Sequence, residues 1–502
     1  MLTYMVPLEK SRPKGAEAPA IGRAFSNGMA KSLSITFVRG ARRVTGAQFL
    51  VEARDPSTSF DKAQDKSLGA GGKTTRILID CGLAQGERFC ESVNADMFPY
   101  DPSAVDAVFF THAHADHIGL FPKLVKDGFI GKAYATPPTK DLLPIMLQDT
   151  AHLLADEAKR CKENPLYGAE DVAAATALVQ GVSYGEEVRI ASGITAVLHN
   201  AGHIIGSASV LLDIFGTRVL FTGDLGRVPA ALVSERDVPK DVDYLICESV
   251  YGARVHEAFE ESERVLLDTV RSTVSKNGIL LIPAFSLERT QILLEVLDRA
   301  VTAKAIPSIP VFLDSPLAAK VTEVYRANPE YLREDIRKRL ASNDDPFSFP
   351  NLSVTIKNDE SHAIDDTPNP KIIIAGAGMS HGGRIRRHEM KYLPDKATTL
   401  LLVGYQVAGS LGRRLKDGAK EVTMDGTRIP VHAEVRSTEG FSAHADRDDL
   451  MDFVEQVKPK EVFVVLGETA SATFLAQRIN GFLGIPTTVP REGEVVHLST
   501  DR

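Results

Sequence analysis

The first folded part of the chain alternates hydrophobic and polar positions in a way typical of β-strands. Residues 32–53 hold two β-branched, alternating segments around Gly40, and RILIDCG (76–82) holds a third. Strand-like runs such as 107–110 then mix with helical stretches such as 139–160. This mixture indicates a layered α/β architecture.

A second alternation of short apolar runs and helical stretches follows, and it predicts a parallel sheet of its own. Its four apolar runs are 278–285, 309–315, 371–378 and 398–406. The segment 341–370 is rich in Asn, Asp, Ser and Pro, so we expect a surface loop there. The last stretch predicts a helix near 446–457, a strand at 461–467 and a helix near 470–483.

These patterns divide the chain into segments. Residues 1–31 are predicted to be a flexible leader, and the polar, Gly/Ser-rich stretch 55–75 a dispensable loop. The fold is predicted to be interrupted by an inserted domain, with a first part at 32–252, the insertion at 253–440 and a final part at 441–502.

Composition excludes several classes of protein. At 502 residues the chain is too long for one core, and a prior of ~150 residues per domain gives about three units. With 43% hydrophobic and 25% charged residues it is neither disordered nor fibrous. No apolar run reaches the ~18 residues of a membrane span and no signal-like apolar core opens the chain, so a cytoplasmic protein is expected.

Charge and cysteine content narrow the expectation further. The net charge of −8 gives no overall attraction to nucleic acid, so nucleic-acid binding would need a local basic patch. The four cysteines are scattered without CxxC spacing, which predicts neither a disulfide framework nor a cysteine zinc finger. We therefore expect them to be reduced and mostly packed.

The most specific chemical feature is an HxHxDH motif directly after the apolar strand at 107–110. His112, His114, Asp116 and His117 can converge on one point there, and they offer the nitrogen and oxygen ligands that zinc accepts. Taken alone, a histidine after a strand or an aspartate in a Gly-Asp turn is usually structural. The occurrence of Gly202-His203 and then Gly223-Asp224 at later strand ends reverses that expectation.

The order HxHxDH, Gly-His and Gly-Asp resembles the metallo-β-lactamase superfamily of binuclear zinc hydrolases. Further landmarks are similar to those of its β-CASP branch, the nucleases related to the endonuclease that cleaves pre-mRNA before polyadenylation. The resemblance implies a four-layer αββα metallo-β-lactamase fold with an inserted parallel-sheet α/β (β-CASP) domain. The landmarks are Asp80, Glu248, 314–316, 376–384, 405–414 and 441–446.

Carried over by position, the resemblance implies a role for each landmark residue. One zinc would be held by His112, His114 and His203, the other by Asp116 and His117, with Asp224 as the bridge. Asp80 would orient ligands and the bridging water. His444 would protonate the leaving oxygen as general acid, with Glu248 holding its imidazole, after attack by metal-activated water.

The sequence departs from the branch at its third motif. A histidine that ligates the second zinc is expected about 22 residues after His444, but the chain has Leu466-Gly467-Glu468. Members acting on DNA typically carry valine there, so three interpretations stay open: a working nuclease with a weak second zinc site, a DNA-preferring nuclease, and an RNA-binding protein with weakened catalysis. Retention of every other ligand favours the first.

Substrate contacts are expected from the inserted domain, where basic residues follow glycine-rich strand ends. Aromatic residues are only 7% of the chain and do not interleave with basic ones, so recognition of single-stranded RNA should rest on backbone charge. The turns at Arg289 and Asp314 are weaker candidates. A small-ester, thioester or lactam hydrolase remains an alternative, and a homodimer remains open. The candidate substrate-binding residues are His381, Arg384, Arg386, Arg387, His388, Arg413, Arg414 and Lys416.

Overall fold

The computed structural model of the protein describes residues 31–56, 73–85, 90 and 93–500. All but Lys31 of the predicted leader, and most of the predicted loop at 55–75, lie outside these residues. None of the helices within the described ranges is long and apolar enough to cross a membrane.

Two seven-stranded sheets form the two inner layers of the first domain. The first sheet has the order β22-β1-β2-β3-β4-β5-β6, from β1 (Ser32–Arg39), β2 (Gln48–Arg54), β3 (Thr74–Ile79), β4 (Ala107–Phe109), β5 (Lys132–Ala135), β6 (Val179–Gly181) and β22 (Val495–Leu498). The second has the order β21-β20-β11-β10-β9-β8-β7, from β7 (Glu187–Ala191), β8 (Ile194–Asn200), β9 (Ala208–Ile214), β10 (Thr217–Phe221), β11 (Tyr244–Cys247), β20 (Glu461–Val464) and β21 (Thr487–Thr488).

Alternation of apolar residues along each strand explains why the sheets face each other. In β3, Ile77 and Ile79 enter the core between the two sheets, while Leu78 packs under helices on the outer face. In β10, Val219 also enters the inter-sheet core and Leu220 faces outward. Because successive side chains point to opposite faces, each sheet buries both sides, and the four-layer αββα fold follows.

Helices cover the outer face of each sheet. Those on the first sheet are α1 (Ala115–Ile118), α2 (Phe121–Lys126), α3 (Pro137–Cys161) and α4 (Ala169–Ala177). Those on the second sheet are α12 (Arg447–Val457) and α13 (Thr469–Arg478), which continues into a π-turn at Ile479–Leu483.

The inserted segment builds a six-stranded parallel sheet, as predicted, with the order β14-β13-β15-β12-β16-β19. Its strands are β12 (Ile279–Pro283), β13 (Val311–Asp314), β14 (Leu352–Val354), β15 (Lys371–Ala375), β16 (Thr399–Leu402) and β19 (Glu434–Ser437), beside the hairpin β17 (Glu421–Met424) and β18 (Thr427–Pro430). Its helices are α5 (Phe259–Ser275), α6 (Arg289–Thr302), α7 (Pro316–Ala327), α8 (Glu334–Ala341), α9 (Asn358–Ala363), α10 (Ile385–Tyr392) and α11 (Leu411–Lys416).

The predicted surface loop at 341–370 is wrong in part, because it contains β14 and α9. Glu360 accepts the backbone amides of Ile356 and Lys357, which caps α9. Ser361 of α9 donates to the buried Asp314 at 2.6 Å. These contacts stabilise a helix in a segment whose polar composition suggested none.

The expectation that all four cysteines are reduced is also wrong. Cys90 and Cys161, 71 residues apart, form a disulfide that ties the segment after β3 to the end of α3. Their partnership depends on the tertiary fold, so their spacing in the sequence gave no sign of it. Cys81 and Cys247 are free and buried, as expected.

Candidate metal centre

The turn between β4 and α1 presents the HxHxDH side chains. β4 ends at Phe109, and α1 begins at Ala115 with His114 in the N-cap position. Asp80, at the end of β3, accepts hydrogen bonds from the backbone amide and hydroxyl of Thr111, both at 2.8 Å. The start of the motif is thereby fixed against the neighbouring strand.

Four of the predicted ligands meet at one point. The ligand atoms of His112, His114, His203 and Asp224 all lie within 4.8 Å of one another. Nε2 of His112 is 2.9 Å from Nδ1 of His114, and the Asp224 carboxylate is 3.5 Å from His112 and 3.7 Å from His203. The strand ends of β4, β8 and β10 bring them together across both sheets.

His117 lies on the other side of the same carboxylate. Its Nε2 is 3.4 Å from Oδ1 of Asp224, and its Nδ1 is 2.7 Å from Asp80. Both carboxylates raise the pKa of His117 well above its ordinary value, against the lowering effect of burial. Burial raises the pKa of the Asp116 carboxyl, which also interacts electrostatically with His117 and Asp224. Asp224 therefore lies near members of both predicted sets of ligands, with His112 and His203 near Oδ2 and His117 near Oδ1.

The donor set fits a metal. Both ring nitrogens of His203 and Nε2 of His117 are buried without a hydrogen-bond partner. Burial, reinforced by neighbouring imidazoles, holds the pKa of His112 and of His203 well below the ordinary value, so both rings stay neutral and keep lone pairs for a cation. Burial alone would raise the pKa of Asp224, but His117 and the other imidazoles hold it well below its usual range. Buried unpaired nitrogens around an ionised carboxylate cost free energy unless a cation binds there.

Glu248 and His444 extend the centre toward the inserted domain. Nδ1 of His444 lies 3.8 Å from Asp224 and 3.7 Å from Glu248, which is fully buried. Glu248 accepts the backbone amides of Leu225 and Val250 at 2.7 and 3.1 Å, so its position is fixed. Burial lowers the pKa of His444, but Glu248 and Asp224 outweigh it and raise that pKa above its ordinary value.

Leu466 is buried at the edge of the inter-sheet core. Its backbone amide donates to the carbonyl of Gly40 at 2.7 Å, and its side chain occupies the space where a Cβ on Gly40 would lie. Within the described ranges, Asp116, His117 and Asp224 do not form a group with ligand atoms as mutually close as those around His112.

The predicted substrate-binding residues fall into two sets. Arg384, Arg387 and His388 are held by carboxylates of their own domain: Arg384 and His388 each bond Asp314 at 2.7 Å, and Arg387 bonds Asp365 at 2.8 Å. The other set reaches the surface. His381 and Arg414 in this set are exposed. The other three members form ion pairs: Arg386 with Asp425, Arg413 with Asp417, and Lys416 with Glu439.

Sequence reasoning gave no role to two residues beside His444. The Tyr251 ring lies 5.7 Å from the His444 ring, and Nε2 of His256 is 3.1 Å from the His444 carbonyl oxygen. Both belong to the segment that follows Glu248, so adjacency to that landmark was the available signal.

Histidines and carboxylates at the strand ends of an αββα sandwich define a metallo-hydrolase of the metallo-β-lactamase class. Family models agree with this fold along the chain. The model described as the metallo-beta-lactamase superfamily matches residues 70–258, the Beta-Casp domain 290–415, and the "Zn-dependent metallo-hydrolase RNA specificity domain" 428–490.

Curated relatives narrow the class. Ribonuclease TTHA0252 of Thermus thermophilus is 36% identical over 79% of this chain and 88% of its own length. The RNase J-like protein of Methanocaldococcus jannaschii is 32% identical over 84% of this chain and 94% of its own length. The transcription termination factor FttA of Methanosarcina mazei is 34% identical over 84% of this chain and 68% of its own length. The chain belongs to the β-CASP family of the metallo-β-lactamase superfamily.

A solved structure, that of a protein of unknown function from Enterococcus faecalis V583, shares the fold. It is 14% identical, with a TM-score of 0.53 over 93% of this chain and 100% of that one.

Proposed function

We propose that the protein is a zinc-dependent ribonuclease that hydrolyses phosphodiester bonds of single-stranded RNA. The convergence of His112, His114, His203 and Asp224 carries the proposal. Two of the relatives are named as a ribonuclease and as RNase J-like, which supports RNA as the substrate.

The predicted metal ligands form two sets that share one carboxylate. His112, His114 and His203 would hold one zinc, Asp116 and His117 would hold the other, and both sets would share Asp224. Zinc supplies positive charge to neutralise the phosphodiester and to acidify the attacking water. Asp80 orients His117 through the 2.7 Å contact to its Nδ1.

The leaving oxygen needs a proton, and His444 supplies it. The raised pKa of His444 keeps its ring protonated at higher pH than an ordinary imidazole. Glu248, buried and fixed by two backbone amides, holds that ring in place. His256 also holds His444 in place, because its ring Nε2 contacts the backbone carbonyl oxygen of His444.

The protein binds its substrate through the charged phosphates of the RNA backbone. His381, Arg413 and Arg414 reach the surface of the inserted domain and contact phosphates. Arg384, Arg387 and His388 already pair with Asp314 and Asp365, so their role is to stabilise the shape of the turn. Sequence specificity is low, since base edges are not read.

A single-stranded RNA labelled at either end tests the proposal. Purified protein loaded with zinc is expected to cleave it, and chelation to stop cleavage. Asp224→Ala and His114→Ala should lower kcat/KM by at least about 10³-fold, while the exposed His152→Ala serves as a matched control. A wild-type rate in Asp224→Ala would overturn the proposed role of the centre, and the two labels separate internal from terminal cutting.

Leu466 favours one alternative, a DNA-preferring nuclease of the same family. A DNA oligonucleotide of matched sequence in the same assay decides it. A higher kcat/KM on RNA supports the proposal, and a higher value on DNA replaces RNA as the substrate.

A further inference from the structure

The loop that joins β12 to α6 faces the metal centre. Glu288, its last residue, lines one small cavity together with Gly202 and His203. The backbone amide of Ile205, two residues after His203, is a hydrogen-bond partner of Glu288 and of Tyr325 in the inserted domain. The loop is therefore anchored to the segment that carries a metal ligand.

Arg289, the next residue, brings a positive charge to this place. Its guanidinium donates to the carbonyl oxygen of Val403, and it forms no ion pair with a carboxylate of the described residues. Burial lowers the pKa of Arg289 to about 10, and Tyr251 and Glu288 oppose that shift. A guanidinium held in a partly dry site attracts an anion, and a phosphate oxygen suits it best.

Arg289 also lies close to the reacting groups. The Tyr251 side chain interacts electrostatically with Arg289, and the Tyr251 ring is 5.7 Å from the ring of His444. The neighbouring Tyr405 ring receives the guanidinium of Arg254 at 5.1 Å. Basic and aromatic side chains thus lie together beside His444.

Phe285, at the start of the loop, is 44% exposed to solvent. Its ring lies over Gly378, where a Cβ would come within 2.9 Å of it. Thr290 fixes the backbone, because its amide and hydroxyl donate to the Phe285 carbonyl at 3.2 and 2.8 Å. Within the described ranges this ring has no aromatic or cationic partner, whereas exposed Phe474 and Phe482 both lie beside Arg478.

We propose that the loop at 285–289 is a nucleotide subsite next to the metal centre, in which Arg289 pairs with a substrate phosphate and Phe285 stacks on the adjoining base. The subsite rests on the proposed ribonuclease function and adds a base contact to backbone recognition. The backbone positions that carry the two groups are held together, because Thr290, beside Arg289, donates to the Phe285 carbonyl. Stacking tolerates any base, so the subsite gives position and affinity without a sequence preference.

An abasic scan of the substrate tests the stacking contact. Zinc-loaded enzyme is given single-stranded RNAs that are identical except for one abasic position, moved one nucleotide at a time from the cleaved bond, and kcat and KM are measured. The wild type should show one position where the abasic RNA raises KM by about 5- to 100-fold. Phe285→Ala should raise KM on intact RNA by a similar factor and show no further increase at that position.

Salt dependence tests the phosphate contact. Arg289→Gln should raise KM and reduce the slope of log affinity against log salt by about 0.7, the value for one phosphate of a single strand. Arg299→Gln, on the same helix and paired with Glu263, and Phe474→Ala, an exposed ring elsewhere, are matched controls that should leave both readings unchanged.

The outcomes separate the two proposals. RNA cleavage by the wild type, with an abasic effect that persists in Phe285→Ala or a salt slope unchanged in Arg289→Gln, overturns the subsite and leaves the ribonuclease function standing. If Phe285→Ala loses RNA cleavage and its melting temperature changes, Phe285→Leu serves as the second variant. Leucine keeps the apolar bulk, so it should restore folding, but it has no ring and should not restore the stacking contact. Absence of RNA cleavage by the wild type overturns the function and the subsite with it.

Discussion

Asp80 connects the backbone of the first sheet to the metal centre. It adopts a left-handed backbone conformation with φ of 59°, which non-glycine residues rarely do, and its carboxylate contacts Thr111 and His117. Strain of this kind is retained where the surrounding contacts over-determine it. The orientation of His117 therefore depends on a carboxylate that does not reach the metal ligands' meeting point.

Asp80→Asn should weaken metal binding without unfolding the protein. The amide keeps the size of the side chain but removes the charge that orients the His117 ring, and loss of such a partner lowers metal affinity by roughly 10- to 100-fold. Titration with zinc against a competing chelator measures the affinity, and the melting temperature of the metal-free protein is the control. Unchanged zinc affinity would contradict this role.

Leu466→His should raise the amount of tightly bound zinc toward two per chain. Leucine has no lone pair, while histidine at this position offers a nitrogen to the second site. Zinc content after dialysis, measured by mass spectrometry, is compared with that of Leu466→Ala, which changes the bulk without adding a ligand. Two tightly held zinc ions in the unaltered protein would show that its second site is not weak.

The convergence of His112, His114, His203 and Asp224 could be predicted from sequence, because each follows the end of an apolar strand in a recognisable order. The partners of Arg384 and His388 could not, because Asp314 is 70 and 74 residues away along the chain. Phe285 gave no signal in the sequence either, since its apolar residue type predicts burial and only the fold leaves it exposed.

At the scale of elements, α10 carries a buried carboxyl that makes stability depend on pH. Burial raises the pKa of Glu389 to about 8, and Ser380 donates to one of its oxygens at 2.5 Å. The other oxygen is buried without a partner. The carboxyl is therefore neutral in the folded protein at neutral pH.

Glu389→Gln should remove part of the pH dependence of unfolding. Because the folded-state pKa lies above the unfolded one, this stabilisation is complete below pH 4.5 and is lost as the pH rises through about 8. The melting temperature of the wild type should therefore fall relative to that of Glu389→Gln between these values. The exposed Glu334→Gln is the control and should follow the wild type; a constant difference for Glu389→Gln would contradict the raised pKa.

Element boundaries followed the sequence where apolar periodicity was strong. The predicted helix at 139–160 is Pro137–Cys161, and the predicted strand at 371–378 is Lys371–Ala375. The helix α9 escaped prediction because its stability comes from the Ser361–Asp314 bond and a cap, which composition does not reveal.

For the molecule as a whole, the Cys90–Cys161 bond joins two distant segments of the metal-binding domain. A cross-link across 71 residues restricts the unfolded chain by about 4 kcal/mol in the chain-entropy description. Cys161→Ser should therefore lower the melting temperature by several degrees in oxidising buffer. The wild type and the variant should melt together after reduction, and a difference that survives reduction would indicate lost packing instead.

The order of strands in the two seven-stranded sheets also governs when the metal-binding domain can be finished. β11 ends at Cys247, yet its neighbour β20 begins at Glu461, and β22 closes the first sheet against β1. A ribosome adding ~5–20 residues per second needs roughly 10–40 s to make the intervening stretch. During that interval the nascent polypeptide carries all six candidate metal ligands without β20 and β22, so both sheets can be completed only after the whole inserted domain has been made.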